Sequence, residues 1–196
     1  MINNYRDEFL ILRFISPLKN QPMKKILFAA FVALAFCGAC SKDKSDDDYY
    51  FKFKVNGTEK KYSITLADLD TTYGFVTLTI LGTGSLTSDQ DYLGIYIDNS
   101  PAGGTISSGQ FNDNAANYTL LTTHAKGGIE YEAGQSVASD AQFYGETITN
   151  HFTVTISSMD KTTVKGTFSG DYYADGNVRS TDKLAITDGQ FNVKFQ

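Results

Sequence analysis

Two cysteines and two histidines are the side chains of this chain best suited to chemistry. Cys37 and Cys40 form a C-x-x-C pair, a spacing found in thiol redox motifs and in zinc sites. The pair ends an apolar run without a βαβ pattern around it, and His124 and His151 lie more than 80 residues further along the chain. This spacing argues against a redox or metal site and favours a processing signal.

The residues before Cys40 have the order of a secretory signal. A basic start at residues 23–25 precedes an unbroken apolar run at residues 26–36, and Gly38 and Ala39 then follow. A basic region, an apolar region and a small-residue cleavage site are the parts of a signal peptide. The run has about a dozen residues, fewer than the roughly 20 that a membrane-spanning helix needs. We therefore expect it to be removed.

The same segment resembles a bacterial lipoprotein signal, in which a lipobox precedes a cysteine that is lipidated and becomes the first residue. Here the lipobox is C-G-A before Cys40. The rival, L-A-F before Cys37, puts a bulky phenylalanine at a cleavage position that needs a small side chain. The resemblance implies that Cys40 carries the lipid and that residues 23–39 are the signal peptide. Residues 1–22 are then an upstream extension from a mis-assigned start, or else an unusually long start of the signal.

A short acidic segment follows the lipobox. Residues 40–48 are polar and highly charged, a composition that predicts a disordered tether. Four of them resemble the export signal of Bacteroidetes-type surface lipoproteins: Ser45, Asp46, Asp47 and Asp48. The resemblance implies an outer-membrane lipoprotein, anchored through its N-terminal lipid and facing the cell exterior. A spacer on a lipoprotein that stays on the periplasmic face is the alternative.

Charge argues against a nucleic-acid partner. Residues 40–196 contain 12 Lys and Arg residues and 20 Asp and Glu residues, a net charge of −8, and Arg179 is their one arginine. A phosphate-binding surface needs clustered basic side chains, and this segment has no such cluster. It also has no cofactor motif, so we expect no cofactor.

Residues 49–196 predict a single all-β domain. Apolar and polar residues alternate repeatedly, as in F-K-F-K-V at 51–55, which N-G follows as a hairpin signal. About nine or ten strands are expected near these ranges: 51–55, 58–66, 75–81, 92–98, 117–123, 128–134, 151–157, 162–173 and 189–195. The pattern favours an antiparallel two-sheet β-sandwich, with a lipocalin-like β-barrel as the alternative. No helical period is visible beyond one short turn at 67–73.

Three short motifs resemble a family of Bacteroidetes-type lipoprotein domains of uncharacterised function. The motifs are V-N-G at 55–57, K-G-T-F at 165–168 and T-D-G-x-F at 187–191. The resemblance covers most of residues 50–196. It implies a secreted β-rich domain and supplies no catalytic residues.

Catalytic chemistry has little support in the sequence. His124 and His151 have no nucleophile motif beside them, so we expect ordinary surface or strand-end positions for both. Most acidic residues sit in turns, where turn formation accounts for them, and no loop has calcium-binding spacing. We therefore predict no metal and no enzyme, although two carboxylates brought together by folding would make a hydrolase.

The expected function is binding or structural. Tyr144, Tyr172 and Tyr173 are the candidate aromatic platform for a ligand, since two adjacent tyrosines on one strand cannot both face the core. The predicted role is a non-catalytic accessory domain for a glycan or a protein ligand. The alternatives are a lipocalin-like carrier of a small apolar ligand and, last, a hydrolase.

Overall fold

The computed structural model describes residues 49–72, 75–85, 91–99 and 103–196. Within these ranges the chain forms an antiparallel β-sheet and one α-helix, which confirms the predicted all-β class. The elements have these bounds: β1 Tyr50–Val55, β2 Thr58–Tyr62, β3 Ile64–Asp70, β4 Thr77–Thr83, β5 Asp91–Asp98, β6 Gly109–Asn112, β7 Thr119–Lys126, β8 Ile129–Gly134, α1 Gln135–Tyr144, β9 Thr153–Met159, β10 Thr163–Ala174 and β11 Lys183–Lys194.

The strands pair in an order that nearly closes the sheet. The order is β2, β1, β11, β10, β8, β7, β5, β4 and β3, with β9 added to β10 and β6 added to β9. The two end strands are consecutive in the chain and separated only by Ser63, yet β2 pairs with β1 and β3 pairs with β4. The Ala67 carbonyl of β3 also accepts a hydrogen bond from the Gln196 backbone N–H at 3.2 Å. The sheet is therefore nearly closed into a barrel.

The V-N-G motif forms the predicted hairpin. Val55 of β1 pairs with Thr58 of β2 across a two-residue loop. Asn56 and Gly57 have φ values of 49° and 82°, and a type I′ turn needs positive φ at both of these positions. The Asn56 side-chain oxygen also accepts a hydrogen bond from the Ala185 backbone N–H at 2.8 Å. The motif thus makes the turn and attaches it to β11.

The other two motifs pair with one another on β10 and β11. Gly166 lies opposite Phe191, and Phe168 lies opposite Gly189. A Cβ at Gly166 would lie 2.4 Å from Cζ of Phe191 and 2.2 Å from the Thr155 carbonyl oxygen. A Cβ at Gly189 would lie 2.7 Å from the Phe168 ring. Each phenylalanine ring therefore lies across the glycine of the opposite strand, a cross-strand arrangement that helps to fix strand register.

Aromatic rings fill much of the interior. Five buried rings contact one another, with centroids of neighbouring pairs 5.2–6.3 Å apart: Phe51, Phe53, Tyr62, Phe168 and Phe191. On β4, a Cβ at Gly82 would lie 2.7 Å from ring atoms of both Phe51 and Tyr62. The rings therefore reach the β4 backbone at this point and leave no room for a side chain there.

The helix is the main departure from the sequence prediction. Within α1 only Val137 and Ala141 are buried. Two small residues one turn apart are too weak a pattern to reveal a helix, so packing rather than periodicity defines this element. The short turn predicted at 67–73 is also wrong for residues 67–70, which pair with β4 as the end of β3.

Gly166→Ala is expected to lower the free energy of unfolding by about 1–3 kcal/mol, because the added methyl group must displace the Phe191 ring and a backbone carbonyl. Gly94→Ala in β5 is the matched control, since the nearest atom to its Cβ, in Leu81, would be 3.8 Å away. We expect the control to stay within about 0.5 kcal/mol of the wild type. Urea denaturation measures both, and equal stabilities of the two variants would contradict the close contact at Gly166.

Candidate functional site

The predicted ligand platform is only partly at the surface. Tyr144 is 46% exposed, whereas Tyr172 and Tyr173 are 0% and 4% exposed. The expectation that the two adjacent tyrosines offer an exposed ring is therefore wrong. The remaining predicted site residues lie outside the described ranges: Cys40, Ser45, Asp46, Asp47 and Asp48.

Both adjacent tyrosines are buried because both faces of β10 are covered. Tyr172 points into the main core, where its hydroxyl lies 2.7 Å from Oγ1 of Thr122 and its ring meets Phe152 edge-to-face. Tyr173 points to the opposite face and belongs to a second cluster, formed with Val137, Ala141, Ile148 and Val178. Burial raises the pKa of both tyrosines. The helix thus supplies a second core on the outside of the sheet.

The end of α1 fixes the direction of its last side chains. Gly145 is left-handed, with φ of 69°, and its N–H donates to the Gln142 carbonyl at 3.4 Å. The Glu146 N–H donates to the Ala141 carbonyl at 2.8 Å, which completes a Schellman motif. Because Ala141 faces the second cluster, Phe143, two residues later, faces away from it.

Phe143, Tyr144 and Arg179 form what we call the aromatic surface. Phe143 is 80% exposed, the most exposed of the large hydrophobic side chains in the described ranges. Its ring meets Tyr144 edge-to-face, with centroids 4.9 Å apart and an interplanar angle of 85°. The guanidinium carbon of Arg179 lies 4.0 Å from the centroid of the Tyr144 ring, within the range of a cation–π contact. The surface combines an apolar ring, an amphipathic ring and a positive charge.

Arg179 lies on the connection between β10 and β11. Its backbone N–H donates to Oδ1 of Asn177 at 3.1 Å, and the neighbouring Val178 is buried in the second cluster. No carboxylate of the described ranges forms an ion pair with Arg179. Sequence reasoning missed Phe143 and Arg179. The available signals were the single arginine of the domain and two adjacent aromatic residues outside any alternating stretch.

The aromatic surface lies at the end of the strands opposite to Tyr50. Tyr50 pairs with Asn192, near the end of β11, whereas Arg179 precedes the start of β11 at Lys183. Lys183 and Asn192 are nine positions apart, which corresponds to about 30 Å at roughly 3.3 Å per residue. The chain therefore enters the domain far from the aromatic surface.

His124 is fully buried in β7, so the surface or strand-end position expected for it is wrong. Its Nδ1 donates to the Tyr92 carbonyl at 2.8 Å, its ring meets Phe53 edge-on, and its Nε2 has no hydrogen-bond partner in the described ranges. Burial lowers the pKa of His124 to about 4, so the imidazole is neutral at pH 7.

A polar network connects His124 to the surface. The Tyr62 hydroxyl lies 3.5 Å from Nδ1 of His124 and donates to Oδ1 of Asp91 at 2.9 Å. Lys60 forms an ion pair with the same carboxylate oxygen. Burial and the Asp91 carboxylate raise the pKa of Tyr62. The network holds β2 against β5 and β7.

Two buried aspartates hold the segment that leads into β9. Asp113 accepts hydrogen bonds from Nδ1 of His151 at 2.7 Å and from the Phe152 backbone N–H at 3.0 Å. Asp171 accepts one from the Asn150 side chain at 3.1 Å. Both carboxylates thus have structural partners, and the described part of the chain has no group of three or more His, Cys, Asp or Glu placed to hold a metal ion.

Comparison with known proteins adds no family to these observations. No protein family model matches the chain, and no curated protein or solved structure matches it. In the described ranges, no helix has the length and apolar character needed to cross a membrane. Geometry and side-chain chemistry are therefore what indicate the function.

Acid is expected to destabilise the domain through His124. The pKa of about 4 in the fold is below the ordinary 6.5, so the unfolded chain takes up a proton first as the pH falls. The free energy of unfolding should decrease from pH 6.5 to pH 4 by about 1.4 kcal/mol per pH unit, with no further loss from His124 below that. Denaturation across this range, compared with His124→Leu, isolates the contribution. Identical pH profiles for the two proteins would contradict it.

Proposed function

We propose that this chain is a lipid-anchored cell-surface lipoprotein whose domain at 49–196 binds a glycan or protein ligand without catalysing a reaction. The aromatic surface carries the binding part of the proposal. Aromatic side chains and arginine are enriched at binding hot spots. A phenylalanine ring that is four-fifths exposed also gains free energy when a partner removes it from water.

The lipobox before Cys40 supports the anchoring part. The eight residues from 41 to 48 can span at most about 30 Å when fully extended. They lead to Tyr50, at the end of the strands opposite to the aromatic surface. A domain anchored through Cys40 would therefore be attached at the end of its strands that lies opposite to the aromatic surface.

The positions of the two histidines support a non-catalytic role. His124 is enclosed by the core, and its Nδ1 proton is donated to a backbone carbonyl. His151 is held by Asp113, whose second oxygen accepts a backbone N–H. Asp113 is thus a buried carboxylate that is satisfied within the fold, and a histidine-dependent hydrolase would need a nucleophile beside one of the histidines.

We also propose that the finer architecture is a two-sheet sandwich with a filled interior. The near closure of the sheet favours the alternative, a lipocalin-like carrier, but a carrier needs a cavity of at least about 300 Å³. The contact of Phe51 and Tyr62 with the β4 backbone at Gly82 supports a filled interior. Titration with an apolar fluorescent fatty-acid analogue is expected to show no saturable binding. Saturable one-to-one binding would favour the carrier.

Cys40→Ala is expected to abolish acylation and membrane partitioning, because the Cys40 sulfur is the atom that accepts the lipid. Cys37→Ala is the matched control and should keep both, since only Cys40 follows a small residue at the cleavage position. Incorporation of labelled palmitate and detergent phase partitioning of the full chain measure the two effects. Lipid on the Cys40→Ala protein would show that the lipidated residue is misassigned.

A second experiment separates lipid anchoring from display on the cell surface. Changing Asp46, Asp47 and Asp48 together to Ala is expected to leave acylation intact and to reduce cleavage by protease added to intact cells. Lysed cells serve as the control for cleavability. Unchanged cleavage of the variant on intact cells would show that these aspartates are not the export signal. Protection of the wild-type protein from the protease on intact cells would favour the periplasmic face.

A further inference from the structure

We infer that the aromatic surface binds a protein partner that offers an apolar pocket for Phe143 beside a carboxylate for Arg179. The inference rests on the proposed binding function and names the class of its ligand. Its basis is the geometry of the two rings and the chemical state of the arginine.

The two rings have the wrong geometry for a flat sugar platform. Phe143 and Tyr144 meet at 85°, so they do not present one continuous face on which a sugar ring could stack. One face of Tyr144 is already covered by the Arg179 guanidinium. Phe143 has no hydrogen-bonding group and projects from the helix with 80% of its surface exposed. A projecting apolar ring is the shape of an anchor that fills a pocket in a protein interface.

Arg179 supplies the charge that such a pocket must complement. Its side chain has no ion-pair partner in the described ranges. A guanidinium that lies over an aromatic ring keeps its N–H groups at the edge, where they can donate to a carboxylate in bidentate fashion. The domain as a whole is acidic, with 10 Lys and Arg residues and 16 Asp and Glu residues in 49–196, a net charge of −6. A partner carboxylate would therefore be attracted at Arg179 and repelled over much of the remaining surface, which fixes its position.

The aromatic surface is also held in place before any partner arrives. The Schellman motif at Gly145 fixes the last turn of α1, and buried Val178 fixes the residue before Arg179. The two elements meet through the second cluster. Side chains that are already positioned lose less conformational entropy on binding, and this favours affinity from a small contact.

A selection from a random peptide library displayed on phage tests the inference, with the full chain in detergent micelles as bait. Wild-type protein is expected to enrich peptides that combine several large apolar residues, which can pack around Phe143, with nearby Asp or Glu. Phe143→Ser should weaken binding of the enriched peptides by at least about tenfold. Arg179→Glu should select Lys or Arg in place of the acidic residues. Phe75→Ser, at another exposed ring (48% exposed), is the matched control and should bind as the wild type does.

Each remaining outcome would overturn the inference in a different way. If Arg179→Glu enriches the same acidic peptides as the wild type, Arg179 does not bind a partner carboxylate, and the inferred charge of the partner is wrong. If a glycan array binds the wild type and loses binding with Phe143→Ser, the ligand is a glycan and the proposed binding function stands. If the wild type self-associates in sedimentation and Phe143→Ser does not, the occupant is a second copy. If neither library nor array distinguishes the wild type from Phe143→Ser, both the inference and the binding role of this surface fall.

Discussion

The paired glycines and phenylalanines of β10 and β11 are the constraint on which most of the sheet depends. Phe191 lies across Gly166 and Phe168 lies across Gly189, so the register of the two strands is set at two points. A slip of one residue would turn each ring to the opposite face of the sheet. Phe51 of β1 packs against the same rings, since its ring centroid lies 5.2 Å from that of Phe168. The position of β1 therefore depends on the register of β10 and β11. The two strands also pair with β1, β8 and β9, so an error here would spread through the sheet.

The same strand links the core to the surface. β10 places Tyr172 in the main core and Tyr173 on the outer face. The outer ring needs a cover, and α1 together with Val178 provides it. Covering Tyr173 brings the end of the helix beside the β10–β11 connection, which is why Arg179 meets Tyr144. The aromatic surface is therefore a consequence of burying one tyrosine, and its position follows from the register of β10.

Period-two alternation was sufficient to predict most strands, because one face of each strand is buried and the signal is local. The V-N-G hairpin was predictable for the same reason, since Asn56 and Gly57 alone satisfy the turn. The helix was not predictable, because its buried face consists of Val137 and Ala141. Burial of Tyr173 and of His124 depends on contacts between distant parts of the chain, which no local pattern records. The candidate site was found only through Tyr144, because exposure and the approach of Arg179 are properties of the folded chain.

The polar network around His124 connects strands that do not pair with one another in the sheet. The chain changes direction at Ser63 between β2 and β3, and among the described residues β2 pairs through its backbone only with β1. Its side chains reach two further strands: Lys60 and Tyr62 contact Asp91 at the start of β5, and Tyr62 approaches His124 of β7. Among the described residues Nε2 of His124 has no hydrogen-bond partner, and a buried group in that state costs about 1–3 kcal/mol. Its Nδ1 proton is donated to the Tyr92 carbonyl of β5, and its ring lies beside Tyr62 of β2. His124 therefore connects β7 to a strand with which β7 does not pair, and the stability of this connection depends on the imidazole staying neutral.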